Sequence, residues 1–249
     1  MANADQLALI KDGVEAWNEW RKLNSEASID LSNANLTKLD LTGINLSNAD
    51  LRGANLSITI LIGASLRLAN LNKANLAKTN LSKAYLIGAY LRDVNASKAN
   101  FLLANLSKAY LSGANLSKAN FSEADLSKAD LSKSDLTKAD LSGANLNYTN
   151  LKEAILSDAN LNEAKLMMAN LREAFLAGAN LCAAGLTAAD LRSADLSAAI
   201  LSKANLRNAD LRLAYYNNHL QREIVSPEYL RSAGVTFDEQ TKFDQLKSK

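Results

Sequence analysis

The sequence has few of the residues from which disulfide frameworks, metal sites and catalytic dyads are built. Its 249 residues contain one cysteine, one histidine and one proline, and aromatic residues make up 6%. Cys182, being alone, excludes an internal disulfide and is typical of a protein of the reducing cytosol. His219 has no cysteine near it in the sequence, which argues against a metal-ligand cluster or a histidine-based catalytic dyad. We therefore expect no metal, no cofactor and no enzymatic activity.

Excess charge and long apolar runs are missing as well. Lys and Arg total 28 against 26 Asp and Glu, so the net charge is +2 and neither a strongly basic nor a strongly acidic partner is indicated. No stretch approaches the roughly 18 consecutive apolar residues that a membrane helix needs. The first residues lack the charged start and apolar core of a secretory signal. These absences favour a soluble cytoplasmic protein.

What the sequence has instead is one five-residue phrase, repeated from Ile29 to Arg212. Each unit has a small residue, then Asn or Asp, then a central Leu, then two variable polar positions. The central position recurs at every fifth residue from Leu31 to Leu211, thirty-seven times, and Leu fills thirty-four of these places. Ala fills twenty-nine of the small positions, and Asn or Asp fills twenty-seven of the positions between. This regularity informs about shape far more than about chemistry.

A period of five excludes both standard elements as the carrier of the repeat. In an α-helix every fifth residue moves about 140° around the axis, and in a flat strand an odd spacing alternates between faces. The chain must therefore turn after each unit, with Leu and the small residue inside and Asn or Asp outside. Seven of the ten glycines occupy the second variable position, where a type II turn needs a positive φ. Lysine, the commonest alternative there, is expected to favour a turn without positive φ.

The phrase A-[DN]-L-x-x, repeated in this way, resembles the pentapeptide-repeat proteins over about three-quarters of the chain. The resemblance implies an all-β solenoid, a right-handed quadrilateral β-helix with four units per coil. Residues 29–214 would then form about nine coils, a rod on the order of 45 Å long at the usual strand spacing. Departures from Asn or Asp pair equally well at separations of 20 and 25 residues. The sequence by itself therefore leaves the number of sides open.

An open coil end exposes apolar interior and unpaired backbone, so we expect a cap at each end. Residues 1–28 are interpreted as an α-helical cap, similar to the segment ahead of the repeats in some cyanobacterial members of that family. One amphipathic helix is predicted over residues 4–23, its apolar side formed by Leu7, Ile10, Val14, Trp17, Trp20 and Leu23. Residues 215–249 are interpreted as the second cap. There Ser226 and Pro227 begin a short helix that runs to Ala233 and is stopped by Gly234.

Two sets of outward residues break the phrase and are candidate sites. The first is apolar and suggests a protein-docking surface, formed by Ile60, Ile62, Leu68, Tyr85, Ile87, Tyr90, Leu102, Leu103 and Tyr110, with Ile58 beside them. A smaller apolar cluster comprises Tyr148, Ile155, Met167, Met168 and Phe175. The second set is a candidate anion-contact column of Lys78, Lys98, Lys118 and Lys138. Another basic column is Lys152, Arg172, Arg192 and Arg212.

The sequence favours a rigid scaffold or protein-interaction module of unknown process, present as a monomer or an end-to-end dimer. Carboxylates on a convex rod lack the cleft that acid–base catalysis needs, and there is no Gly-rich phosphate loop. A first alternative comes from the resemblance, because some members of that family are DNA-mimicking modulators of type II topoisomerases. Those members are acidic, whereas this chain is slightly basic. A polyanion binder acting through the lysine column is the other alternative. Another protein is the expected partner, not nucleic acid or a membrane.

Overall fold

The computed structural model describes residues 2–218 and 221–244, and its central part is a coil that closes every 20 residues. Every fifth residue from Asp30 to Asp195 forms a parallel bridge with the residue twenty positions further along. Four units therefore complete one turn of a β-helix solenoid, which resolves the number of sides that the sequence left open. Each side contributes a single bridged residue per coil, so the sides are ladders of short bridges and not long strands.

The four faces are named by their columns of bridged residues, which recur every 20 residues. Face A runs from Asp30 to Asp210, face B from Asn35 to Tyr215, face C from Asp40 to Ile200 and face D from Asn45 to Asn205. The two turn residues between successive faces form an edge. Edge D–A, for example, is formed by residues 47–48, 67–68 and their counterparts at every twentieth residue up to 207–208.

One unit shows how the repeat satisfies its backbone. The N–H groups of Asn115, Leu116 and Lys118 donate to carbonyls of neighbouring coils at 2.9, 2.7 and 2.9 Å. The N–H of Ala119 closes the turn onto the carbonyl of Leu116 at 3.0 Å. The remaining N–H, that of Ser117, donates to Oδ1 of Asn115 at 3.1 Å. The repeated Asn or Asp is therefore structural, since its oxygen accepts the one turn N–H that the ladder leaves over.

The interior is filled by the central and small residues, and the central ones are almost completely inaccessible. Phe101 and Phe121 stack inside the coil with ring centroids 4.6 Å apart and planes 3° from parallel. Ala96 is the central residue just before Phe101 and leaves room beside the larger ring. Where Thr replaces the small Ala, its hydroxyl donates to a carbonyl of the preceding coil, as from Thr79 to Leu56 at 2.7 Å. Buried polar atoms at these positions are thus hydrogen-bonded, as a low-dielectric interior requires.

The expectation that lysine would favour a turn without positive φ is wrong. All thirty-seven residues at the second turn position have φ between 54° and 71°, and thirty of them are not glycine. Each of these turns has an unbroken ladder on both sides, and the coil keeps its 20-residue closure only when every corner bends alike. The ladder therefore imposes a left-handed conformation that an L-residue adopts at a cost of about 1 kcal/mol.

The single N-terminal helix predicted over residues 4–23 is two helices, α1 at Ala4–Asp12 and α2 at Val14–Leu23. Gly13 separates them with φ 135° and ψ 163°, an arrangement open mainly to glycine. Leu23 was assigned to the apolar side but is 85% exposed. The break lets the two helices reach different faces of the first coil, which one straight helix would not do.

Side chains from these helices replace a preceding coil on two of the four faces. On face A, the N–H of Asp30 donates to Oε1 of Gln6 at 2.9 Å, and its carbonyl accepts from the N–H of Asn3 at 2.7 Å. On face D, the N–H of Asn45 donates to Oδ1 of Asn18, and its carbonyl accepts from Nε1 of Trp17 at 2.8 Å.

The other two faces of the first coil are open. Asn35 and Asp40 are exposed, and their backbone N–H groups have no acceptor among the described residues. The first coil is therefore closed on faces A and D and uncovered on faces B and C.

Beyond the coil the chain forms a hairpin that the sequence did not predict. Strand β1, Tyr215–Asn218, pairs antiparallel with β2, Gln221–Ile224. Helix α3 follows at Pro227–Ser232, one residue shorter than predicted, with Ser226 at its N-cap. Gly234 ends it with φ 67°, as expected.

The segment after α3 lies along the last coil. Thr236 bridges Asn205 on face D, and Lys242 bridges Asp210 on face A. Leu230 is fully buried, and Tyr229 stacks on Tyr216 with centroids 4.1 Å apart. The prediction that Tyr229 and Leu230 pack against the end of the coil is confirmed.

Candidate interaction surface

The outward residues of the first apolar set lie on face D, on its two edges and on the adjoining parts of faces A and C. Tyr85 is on face D, Tyr90 and Tyr110 are on face A, and Ile60 is on face C. Edge D–A holds Leu68 and Ile87, and edge C–D holds Ile62, Leu102 and Leu103. The set therefore wraps around three faces over four coils, with edge D–A near its middle.

Five of these residues come together along edge D–A and are called the tyrosine cluster: Leu68, Tyr85, Ile87, Tyr90 and Tyr110. Tyr90 and Tyr110 stack with centroids 5.1 Å apart and planes 8° from parallel. The Leu68 side chain folds over Gly88 in the next coil, where Cδ2 would lie 2.9 Å from an added Cβ. The exposed fractions of Leu68, Tyr85, Tyr90 and Tyr110 are 56, 45, 40 and 38%. Large apolar side chains are therefore held in place while much of their surface stays open.

The other residues of the set are more scattered. Ser82 and Lys83 lie between Ile62 and the pair Leu102–Leu103 on edge C–D, and therefore divide that edge. Ile60 is bridged to Asn80 and has no apolar neighbour in its column. The structure thus groups the residues of edge D–A but not those of edge C–D.

Two arginines belong to the cluster and were missed from the sequence. The guanidinium carbon of Arg67 lies 5.1 Å from the ring centroid of Tyr85, and that of Arg92 lies 5.6 Å from that of Tyr110. Each arginine stands eighteen residues before its tyrosine, a spacing that becomes meaningful only when the coil length is known to be 20. Such cation–π contacts contribute roughly 0.5–1 kcal/mol at exposed sites and orient the rings.

The smaller apolar cluster does not form one surface. Tyr148, Met167 and Met168 lie on edge D–A, whereas Ile155 and Phe175 are bridged to each other on face B. Face A separates the two groups. Only the first group continues the line of the tyrosine cluster, further along the same edge.

The lysine column lies on edge B–C, diagonally opposite the tyrosine cluster. Lys138 Nζ is 3.9 Å from Oδ2 of Asp158. Among the described residues, Lys78, Lys98 and Lys118 have no carboxylate within ion-pair distance. The structure therefore places the four predicted residues in one column, with an anionic neighbour at one end only.

The other basic column, on edge A–B, is largely neutralised by its neighbours. Arg192 and Arg212 lie 2.6 Å from Asp190 and Asp210, respectively. The hydrogen bond from Arg212 holds the pKa of Asp210 below its ordinary value, against a smaller opposing effect of burial. This column stabilises the rod's surface and leaves little charge for a partner.

Residues that would carry chemistry are not gathered anywhere in the described chain. Across residues 2–218 and 221–244, no group of three or more His, Cys, Asp or Glu side chains is placed to hold a metal ion. Cys182 is a free, half-exposed thiol, and His219 lies outside the described residues. No helix within those ranges is both long and apolar enough to cross a bilayer.

Comparison with known proteins agrees with this architecture. The family model described as pentapeptide repeats matches in eight copies, over residues 29–67, 64–101, 104–143, 134–172, 166–202 and 189–214. The chain belongs to the pentapeptide repeat family. No curated protein sequence matches it.

Among solved structures, this pentapeptide-repeat protein is similar to HetL of the cyanobacterium Nostoc sp. PCC 7120, described as involved in heterocyst differentiation regulation. The two are 34% identical over 91% of this chain and 92% of HetL, with a TM-score of 0.52. A second Nostoc PCC 7120 protein, alr5209, is 31% identical over 54% of this chain and 84% of its own, with a TM-score of 0.24. QnrB1, described as a plasmid-mediated fluoroquinolone resistance protein, is 19% identical over 83% and 94%, with a TM-score of 0.34.

A test of the cluster's packing uses two glycines with the same backbone conformation. Gly88 and Gly63 have φ of 65° and 63°, so Gly88→Ala and Gly63→Ala should each lower the free energy of unfolding by about 1 kcal/mol. Only Gly88→Ala places a methyl group against Leu68, because nothing lies within 4 Å of the Cβ position at Gly63. We expect methyl NMR to show displaced Leu68 resonances in the first variant alone. Equal shifts in both variants would contradict the placement of Leu68 over Gly88.

Proposed function

We propose that this pentapeptide-repeat protein is a rigid, non-catalytic scaffold that binds another protein through the tyrosine cluster. The observation that carries the proposal is the contrast between a monotonous core and five large apolar side chains left open on one edge. Contiguous exposed apolar area is uncommon on a protein that needs no partner, and Tyr and Arg are the residues most enriched at binding hot spots. Similarity to HetL, described by its part in a regulatory process, supports a regulatory role over an enzymatic one.

We infer that the rod is right-handed, as its family resemblance implies, and that residues 1–28 and 215–249 close its two ends. The hydrogen bonds from Gln6 and Asn18 to the first coil support the first of these caps. The bridge between Thr236 and Asn205 supports the second. Such caps keep apolar coil ends from associating, and leave the sides of the rod for recognition.

A DNA-mimicking role is not favoured by the charge of this rod. Mimicry of a phosphate backbone needs continuous anionic columns, whereas Asp190 and Asp210 on face A are paired with arginines. The cytoplasm remains the compartment we propose, on the grounds of Cys182 and the lack of a signal sequence.

The proposal predicts selective loss of a partner when the three tyrosines are removed. The variant Tyr85→Ser, Tyr90→Ser, Tyr110→Ser should keep the circular dichroism of the wild type, because all three side chains point outward. Affinity capture from the organism that encodes the protein, with quantitative mass spectrometry, should show at least about tenfold less of any specific partner. The matched control is Tyr148→Ser, Ile155→Ser, Phe175→Ser, which should retain it. Identical capture by both variants would remove the tyrosine cluster as the binding surface.

A further inference from the structure

We propose that the partner presents an acidic segment with apolar side chains, which lies lengthwise along edge D–A. This inference rests on the proposed function and specifies the chemistry of the partner. It follows from the distribution of charge on the rod, which the near-neutral total conceals.

The coils that carry the tyrosine cluster are strongly basic. Residues 51–122 contain nine Lys and Arg but only one acidic residue, Asp93. Residues 123–212, by contrast, contain ten basic and twelve acidic residues. The cluster therefore lies in a field that attracts anionic segments at distances of about a Debye length.

Edge D–A has the same character at closer range. None of its turn residues, from Ser47 to Asn208, is Asp or Glu. Its cations and large apolar residues alternate along the rod: Arg67, Leu68, Ile87, Lys108, Lys128, Tyr148, Met167, Met168 and Arg207. The other three edges each carry at least one carboxylate, at Asp93, Glu123 and Asp158 respectively.

Four cations border the tyrosine cluster without an anionic partner. Arg67, Lys83, Arg92 and Lys108 make no ion pair with any residue in the described ranges. Elsewhere on the rod arginines are paired, as Arg192 is with Asp190. A partner that supplies carboxylates and aliphatic side chains together would match both features of the surface.

The aromatic rings favour a protein segment over nucleic acid. Tyr90 and Tyr110 use ring faces on each other, and Arg67 covers Tyr85, so these faces are not free for stacking against bases. Asp130 follows Tyr110 in the column of face A and would repel a phosphate backbone. Ring edges, hydroxyl groups and the side chains of Leu68 and Ile87 remain available, and these suit aliphatic contacts.

A second copy of this chain fits less well. An antiparallel pair joined along edge D–A would bring Arg67 and Lys108 toward Lys128, whose Nζ lies 6.0 Å from the Tyr148 ring centroid. Cations would then face cations with no carboxylate on the edge to offset them. Five coil spacings separate Leu68 from Met168, a distance of about 24 Å, which matches an α-helix of about 16 residues.

The test uses a fluorescent 16-residue amphipathic peptide with Leu and Phe on one face and Glu on the other. Fluorescence anisotropy should show binding that weakens about tenfold between about 50 and 300 mM NaCl. Arg67→Gln with Lys108→Gln should weaken binding at least about fivefold, and the tyrosine triple variant at least about tenfold. Lys78→Gln with Lys98→Gln on the opposite edge is the matched control and should change it less than about twofold.

Three results would overturn the acidic-segment proposal. They are no binding of the Glu peptide at millimolar concentration, equal binding of a peptide with Lys in place of Glu, and tighter binding of a single-stranded 16-nucleotide DNA. A dimer held together by this edge in sedimentation would also overturn it, in favour of self-association. The capture experiment separates this proposal from the broader one. Loss of a partner in the tyrosine variant but not in Arg67→Gln, Lys108→Gln would retain the docking surface and reject the acidic partner.

Discussion

Trp17→Ala is expected to lower the free energy of unfolding by about 3–5 kcal/mol. The indole is fully buried between α2 and the first coil, and its Nε1 donates to the carbonyl of Asn45 at 2.8 Å. Truncation leaves a cavity against the end of the coil and also removes a donor that replaces a missing coil on face D. Urea unfolding followed by circular dichroism measures the change.

Trp20→Ala is the matched control for that experiment. Its ring lies 5.4 Å from that of Trp17 but is only partly buried, so we expect a loss of about 1–2 kcal/mol. Losses of similar size in the two variants would show that α2 is held by general apolar contact. The specific replacement of a coil by the Trp17 side chain would then be wrong.

Lys118→Pro is expected to cost more than about 3 kcal/mol, although the lysine side chain is exposed and makes no ion pair within the described chain. Its backbone has φ of 60°, and proline is restricted to about −65°. Its N–H also donates to the carbonyl of Thr137 at 2.9 Å in the next coil, a bond that proline removes. Thermal and urea unfolding should both show the loss.

Lys118→Gly provides the opposite sign at the same position. Glycine takes a positive φ freely, which relieves about 1 kcal/mol, partly offset by the greater entropy of the unfolded chain. We expect a change between zero and about 1 kcal/mol in favour of the folded state. Destabilisation by glycine as large as that by proline would show that the side chain of Lys118, and not its backbone, determines the stability of this corner.

The comparison of these two substitutions illustrates what the sequence revealed about the fold. A period of five was enough to require a turn after every unit, with Leu inside and Asn or Asp outside. It did not give the conformation of the turn at Lys118, because local preference disfavours a positive φ and the ladder overrides it. The number of sides was also out of reach, since only the bridge between residues such as Asp30 and Asp50 defines it.

The candidate surface was predictable in composition but not in arrangement. Outward positions that break the phrase, such as Tyr85 and Leu102, can be read from the sequence once the phrase is recognised. Their grouping depends on a 20-residue coil, which places Leu68 beside Ile87 and leaves Leu102 on another edge. The contact between Arg67 and Tyr85 could not be predicted for the same reason, since residues eighteen apart become neighbours only at that coil length.

The unbroken spacing of the repeat also restricts how the rod can change its length. Removal of any 20 consecutive residues, such as residues 114–133, deletes one coil and returns every later residue to the column it had before. Removal of five turns everything downstream by a quarter revolution, which would carry Tyr148 and Met168 from edge D–A to the neighbouring edge. The rod therefore encodes angle as well as distance: residue number modulo 20 is a compass bearing around its axis, and a binding edge survives only changes that preserve that bearing.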